Sequence, residues 1–184
     1  MIRSLAPLLA VALASPALAF PEGADPGHVG LPDQPDCGSC HYLGAPPDDH
    51  SGLAFESLPE FIMAGSEVEF VLRLRDPQAR IGGFQMTADA MDQAAGQFLP
   101  DQNQRLDALD GRHYLGHSSP QPSRAANSDE GRVVEWTVRW QAPPTPGKVS
   151  LIAAAVAANN DASALGDNAY RHEQTIEVIK CKTD

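Results

Sequence analysis

The chain has 184 residues, with 13 Lys and Arg against 24 Asp and Glu, a formal charge of -11. Nucleic acid and anionic membranes are bound through clustered positive charge, so this balance argues against both; it suits a basic protein partner, or simply keeps an exported protein soluble. The 16 prolines also disfavour long helices, because each removes a backbone donor and clashes with the preceding turn.

Residues 1–19 predict an export leader. Met1, Ile2 and Arg3 give a short positive start, residues 5–14 an apolar run, and Ala17-Leu18-Ala19 the small-x-small pattern accepted by signal peptidase. The apolar run is too short to span a bilayer permanently, and no later segment is long and apolar enough to do so. Cleavage before Phe20 leaves 165 residues (184 less 19), enough for one domain with a core of its own. The leader predicts a periplasmic location, with secretion as the variant.

Residues 20–51 hold Pro21, Gly23, Pro26, Gly27, Gly30, Pro32, Pro35, Gly38, Gly44, Pro46 and Pro47, a density at which no helical or strand period survives. They predict an irregular arm. Inside it, Cys37-Gly38-Ser39-Cys40-His41 is a C-x-x-C-H sequence, the attachment pattern of c-type haem. Two thiols three residues apart reach the two vinyl groups and form thioethers. The histidine that follows is placed to ligate the iron, and glycine and serine leave the bend uncrowded. Three other readings compete: a redox dithiol, which expects a βαβ surround; half of a zinc site, for which His172 and Cys181 are the nearest complement; and a structural disulfide in an exported protein. Haem attachment leaves Cys181 as a lone thiol.

Residues 52–184 change to short runs of period two. Val68, Phe70, Leu72 and Leu74 alternate with Glu69, Val71, Arg73 and Arg75, the mark of a strand with one buried face. Runs over 81–88 and 96–99 follow. In 132–140, Val134, Trp136, Val138 and Trp140 face one way, and Glu135, Thr137 and Arg139 the other. Residues 148–157 are almost wholly apolar and small, as in a strand covered on both faces. An alternating run over 170–179 ends the series, and 118–131 reads as an exposed polar loop. About seven short strands separated by turn signals predict an all-β, antiparallel β-sandwich.

Four segments carry a resemblance: DPQARIGGFQMTA at 76–88, YLGHS at 114–118, VEWTVRWQAP at 134–143 and AANNDASALGDNAY at 157–170. Their succession resembles the bacterial choice-of-anchor V family, a distant relative of the reeler domain whose members open with a C-x-x-C-H segment after the signal peptide. The resemblance covers roughly residues 36–180. It implies an immunoglobulin-like sandwich over 52–184 preceded by the haem-attachment arm. Many relatives end in a surface-anchoring tail; this chain stops at Lys182-Thr183-Asp184, which predicts a soluble protein.

One covalent haem c, on Cys37 and Cys40 with His41 as proximal ligand, leaves the sixth iron position to assign. His117 is the first candidate, because it lies where the family pattern places a histidine; reeler domains without haem carry one there too, which also allows a structural role. His28, His50, Met63 and Met91 are the other candidates, and Met86 reads as core. Phe84, Trp136 and Trp140 read as core aromatics, and Asp161, Asp167 and Asn168 as turn formers. The sequence thus predicts an extracytoplasmic monohaem electron carrier with a redox partner whose docking surface is basic. The second reading is a reeler-like binding module whose haem is structural or senses a gas or redox state. A peroxidase would need a vacant sixth position.

Overall fold

The computed structural model describes residues 20–44, 52–126 and 131–180. The leader at 1–19, His50 and Cys181 lie outside them. Within these residues a 3-10 turn at Cys37–Ser39 is followed by β1 (Tyr42–Leu43), β2 (Leu53–Glu56), β3 (Phe61–Met63), β4 (Glu67–Arg75), β5 (Ile81–Ala90), β6 (Gln93–Ala94) and β7 (Gln97–Phe98). Then come β8 (Gln104–Leu109), β9 (Arg112–His117), β10 (Gln121–Pro122), β11 (Arg124–Ala125), β12 (Arg132–Gln141), β13 (Gly147–Ala158) and β14 (Leu165–Ile179). No helix among them is long and apolar enough to cross a membrane.

The strands form two sheets. The larger runs β1-β14-β13-β5-β9-β8, and the smaller runs β11-β12-β4-β2 with β7 added at β12. The predicted all-β sandwich is therefore present. Period two does the sorting: Phe70, Leu72 and Leu74 of β4 and Val134, Trp136, Val138 and Trp140 of β12 all point inward from the small sheet. They meet Phe84 and Met86 of β5 and Leu151, Ala153 and Ala155 of β13. Phe84 and Trp136 touch across the two sheets with ring centroids 4.9 Å apart. The indole N–H of buried Trp140 donates to the Ala95 carbonyl at 3.1 Å, so this core donor is met.

Strand β13 is apolar on both faces because both faces are covered. Leu151, Ala153, Ala155 and Ala157 enter the sandwich core, whereas Ile152 packs with Val29, Leu31 and Tyr114 in a second, outer cluster. The cover on that outer side is the N-terminal arm.

Several details depart from the sequence reading. Two short pairings, β1 with β14 and β3 with β14, are parallel, so the large sheet is mixed. The last strand begins at Leu165 and not near Tyr170, and the run at 96–99 contracts to Gln97–Phe98. Residues 118–131 are not all loop, since β10 pairs with β5 and β11 with β12, which sends one end of the segment to each sheet.

Asp76, at the end of β4, ties the layers together. It is fully buried and accepts from the Gln78 N–H at 2.6 Å, the Asn168 amide at 2.6 Å and the Tyr170 hydroxyl at 2.8 Å. It thereby links the small sheet to the first turn of β14. Replacing Asp76 by Ala strands these donors without an acceptor. The expected loss is about 3 kcal/mol, read as a lower urea midpoint at unchanged slope.

Candidate functional site

The C-x-x-C-H sequence closes into one turn. The Asp36 carboxylate accepts the Gly38 N–H at 2.9 Å, and the Cys37 carbonyl accepts the N–H groups of Cys40 at 3.3 Å and His41 at 2.9 Å. Strand β1 then fixes the turn to the large sheet by pairing Tyr42 with Leu165 and Leu43 with Asp167. As a result Cys37, Cys40 and His41 all line a single cavity of about 620 Å³.

Asp167 holds His41. Its Oδ2 lies 2.7 Å from His41 Nδ1, and its side chain is 1% exposed. The other carboxylate oxygen accepts the Asn159 N–H at 3.0 Å, which locks the carboxylate in place. A carboxylate accepts only, so Nδ1 carries the proton in this contact, and Nε2 is the ring nitrogen left for any other partner. Sequence reading took Asp167 for a turn former; it is instead a buried strand residue bound to the motif histidine.

His117 reaches the same cavity from the β9 side. The β5–β9 ladder ends at Gln85 opposite Gly116, and one step further the Phe84 backbone meets the His117 ring in place of a strand. Nδ1 lies 3.0 Å from the Phe84 nitrogen and 3.1 Å from its carbonyl oxygen. In the tautomer that donates to the carbonyl, Nε2 is free to bind a metal. The ring lies over Gly83, where any Cβ would collide with it, and β10 resumes pairing beyond it at Gly82. Burial lowers the His117 pKa from its ordinary 6.5; the Phe84 backbone hydrogen bond opposes this, and Arg105 and His41 lower it further by charge repulsion. Its neutral form is therefore favoured in the fold. The resulting stability is complete above pH 6.5 and is lost as pH falls through the lower folded value.

The arm supplies the third wall. Gln85, a buried polar residue of β5, accepts the His28 N–H at 2.7 Å and donates to the carbonyls of Asp25 at 2.9 Å and Ala24 at 3.3 Å. Arg105 also donates to Ala24, and Gly23, at φ +90°, passes against the His117 carbonyl where no side chain would fit. Phe20, Pro21 and His28 thereby face Ile81, Phe84 and Val156 across the cavity.

The remaining candidates fall elsewhere. Met86 is buried in the sandwich core, Met91 is 94% exposed, and neither these nor Met63 lines the cavity. His172 packs against Phe55, with ring centroids 5.2 Å apart. Asn168 serves Asp76, and Asp161 caps backbone groups of its own loop. Phe84 belongs to the core and also lines the cavity. Among the described residues no three His, Cys, Asp or Glu side chains converge as a ligand set for a bare metal ion. The cavity residues do fit a flat, ligated macrocycle: paired thiols, two anchored imidazoles and apolar walls.

No family model matches the chain, and no curated protein matches it. Among solved structures it is similar to the human F-spondin reeler domain (fragment 1), at 18% identity and TM-score 0.48 over 75% of this chain and 96% of that one. It is also similar to the Reelin-N domain of F-spondin, at 19% identity and TM-score 0.48 over 74% and 93%. A third likeness is to AvmM, which catalyses macrocyclisation in alchivemycin A biosynthesis, at 12% identity and TM-score 0.39 over 72% and 92%.

The thiols separate two of the competing readings. Cys37 and Cys40 are both free. Burial, reinforced by Asp36, pushes the Cys37 thiol up from 9.0 to about 12, the opposite of the lowered value that activates a redox dithiol. In protein made without haem attachment, iodoacetamide at pH 8 should label Cys37 on the order of a thousandfold more slowly than an ordinary thiol. Peptide mapping by mass spectrometry reads the rate, and rapid labelling would restore the redox-dithiol reading.

Proposed function

We propose that the chain is an extracytoplasmic monohaem c-type cytochrome that works in electron transfer. The observation that carries this reading is the convergence of Cys37, Cys40 and His41, from the turn before β1, and His117, from the end of β9, on one cavity. A haem bound there supplies a one-electron ferric–ferrous couple. Cys37 and Cys40 would hold it through thioethers, and His41, fixed by Asp167, would offer Nε2 to the iron. His117, braced by the Phe84 backbone, would offer a second imidazole. Ile81, Phe84, Val156 and the arm would keep water from it. The relation to the choice-of-anchor V family and the periplasmic location belong to the same proposal. A net charge of -11 steers the chain towards a redox partner with a basic docking surface.

The test is the absorption spectrum, in both oxidation states, of protein expressed with a cytochrome c maturation system. Wild type should show covalent haem c with low-spin, six-coordinate iron. His117→Ala should keep the covalent haem and open the sixth position, and Cys37→Ala with Cys40→Ala should abolish attachment. A colourless mature wild type would overturn the reading. Rapid carbon monoxide binding by the wild type would instead favour the sensing module.

Electron exchange with a basic partner should slow by about tenfold between low and high salt in stopped-flow measurements, because screening removes the steering. A rate insensitive to salt would remove the basic partner from the proposal.

A further inference from the structure

We infer that Asp167 is a positioning residue that holds the proposed haem at a low, ferric-favouring reduction potential; this rests on the haem c reading above. The ordinary partner of a ligating histidine is a neutral carbonyl or a carboxylate, and the two differ in what they do to the iron. A carboxylate draws the Nδ1 proton towards itself and makes the imidazole a stronger donor at Nε2. That donation stabilises ferric iron, the more positive state, more than ferrous iron.

The surroundings of Asp167 keep this effect at full strength. Its side chain is 1% exposed, so water does not dilute its charge. Among the described residues His41 is its ion-pair partner, and no Lys or Arg neutralises it. The Asn159 N–H, 3.0 Å from Oδ1, fixes the carboxylate and leaves Oδ2 for His41 at 2.7 Å.

Two further observations act in the same direction. No methionine lines the cavity, so the thioether opposite histidine that raises cytochrome potentials has no source among the lining residues. The chain as a whole carries -11, which also favours the more positive iron. Burial among Ile81, Phe84 and Val156 opposes these terms by disfavouring net charge. It is the weaker influence here, because Cys40, which lines the cavity, is exposed. A low potential suits the chain to exchange with low-potential one-electron carriers and not with high-potential ones.

The experiment is a spectropotentiometric titration of holoprotein carrying Asp167→Asn or Asp167→Glu. Asparagine keeps the shape and removes the charge, and its single amide oxygen can accept from either the His41 Nδ1–H or the Asn159 N–H but not both. The ferric-to-ferrous ratio of Asp167→Asn at a fixed potential should fall at least tenfold, a midpoint rise of about 59 mV for one electron. Asp167→Glu, which restores a carboxylate, should recover most of the wild-type midpoint. A purely structural role would not track charge in this way. An Asp167→Asn midpoint within twofold of wild type in that ratio, with six-coordinate spectra retained, would overturn the inference and leave the haem reading standing.

If neither variant accumulates, the iron–histidine stretch of ferrous His117→Ala reads the same property with Asp167 intact. A frequency raised above that of a carbonyl-bonded histidine supports the inference, and an equal frequency refutes it. Wild type without haem would overturn both readings before any titration.

Discussion

The fold depends on covering the outer face of the large sheet. Strand β13 presents apolar side chains to both sides, and the small sheet can cover one of them. Leaving Ile152 and its neighbours in water would forfeit about 1.5–3 kcal/mol for each large side chain. The arm provides the second cover, yet its prolines and glycines prevent it from forming a strand that hydrogen-bonds along the sheet. Single polar clamps replace the ladder: Gln85 on the backbone of residues 24–28, Gln34 on the Tyr114 hydroxyl at 2.6 Å, and Arg171 on the Val29 carbonyl at 3.2 Å. Each clamp joins the arm to a residue of a strand already fixed by the sandwich: Gln85 of β5, Tyr114 of β9 and Arg171 of β14.

The cavity follows from how those clamps are spaced. Gln85 holds the arm on one side and β1 holds it on the other, through a two-residue pairing with β14. Between these anchors Val29 and Leu31 pack on the sheet, while the cavity lies beside them, lined by Asp25, His28 and the C-x-x-C-H turn. The strand ladder also has a gap there, because β9 leaves β5 after Gly116 and β10 returns only at Gly82. His117 occupies the gap, where its Nδ1 either accepts the Phe84 N–H or donates to the Phe84 carbonyl, according to tautomer. The same side chain lines the cavity, so one residue bridges the gap in the ladder and faces the candidate site.

The sandwich was legible because burial alternates along its strands. Val134, Trp136, Val138 and Trp140 declare their face by spacing alone, and the uninterrupted apolar run of β13 declares two covered faces. The grouping of Cys37, Cys40 and His41 was legible because it is local: thiols and imidazole lie within five residues. Two signals at the site were visible but ambiguous. Gly82-Gly83 inside a strand marks a close approach, and a glutamine amid the apolar residues of β5 marks a buried polar contact. Neither reveals that an imidazole and the arm are what approach.

Asp167 shows where sequence reading stops. It lies 126 residues from His41, inside a stretch of Asn, Asp, Ser and Gly whose composition favours a turn, and nothing in that composition points to a histidine. Its role is created by strand pairing: β1 sets Leu43 against Asp167, and the preceding turn brings His41 onto the same carboxylate. Asn168, the next residue, points the other way to Asp76 in the core. Alternation along β14 therefore divides two adjacent polar residues between stability and the site. The motif lies on the arm, but the last strand supplies the carboxylate that its histidine meets.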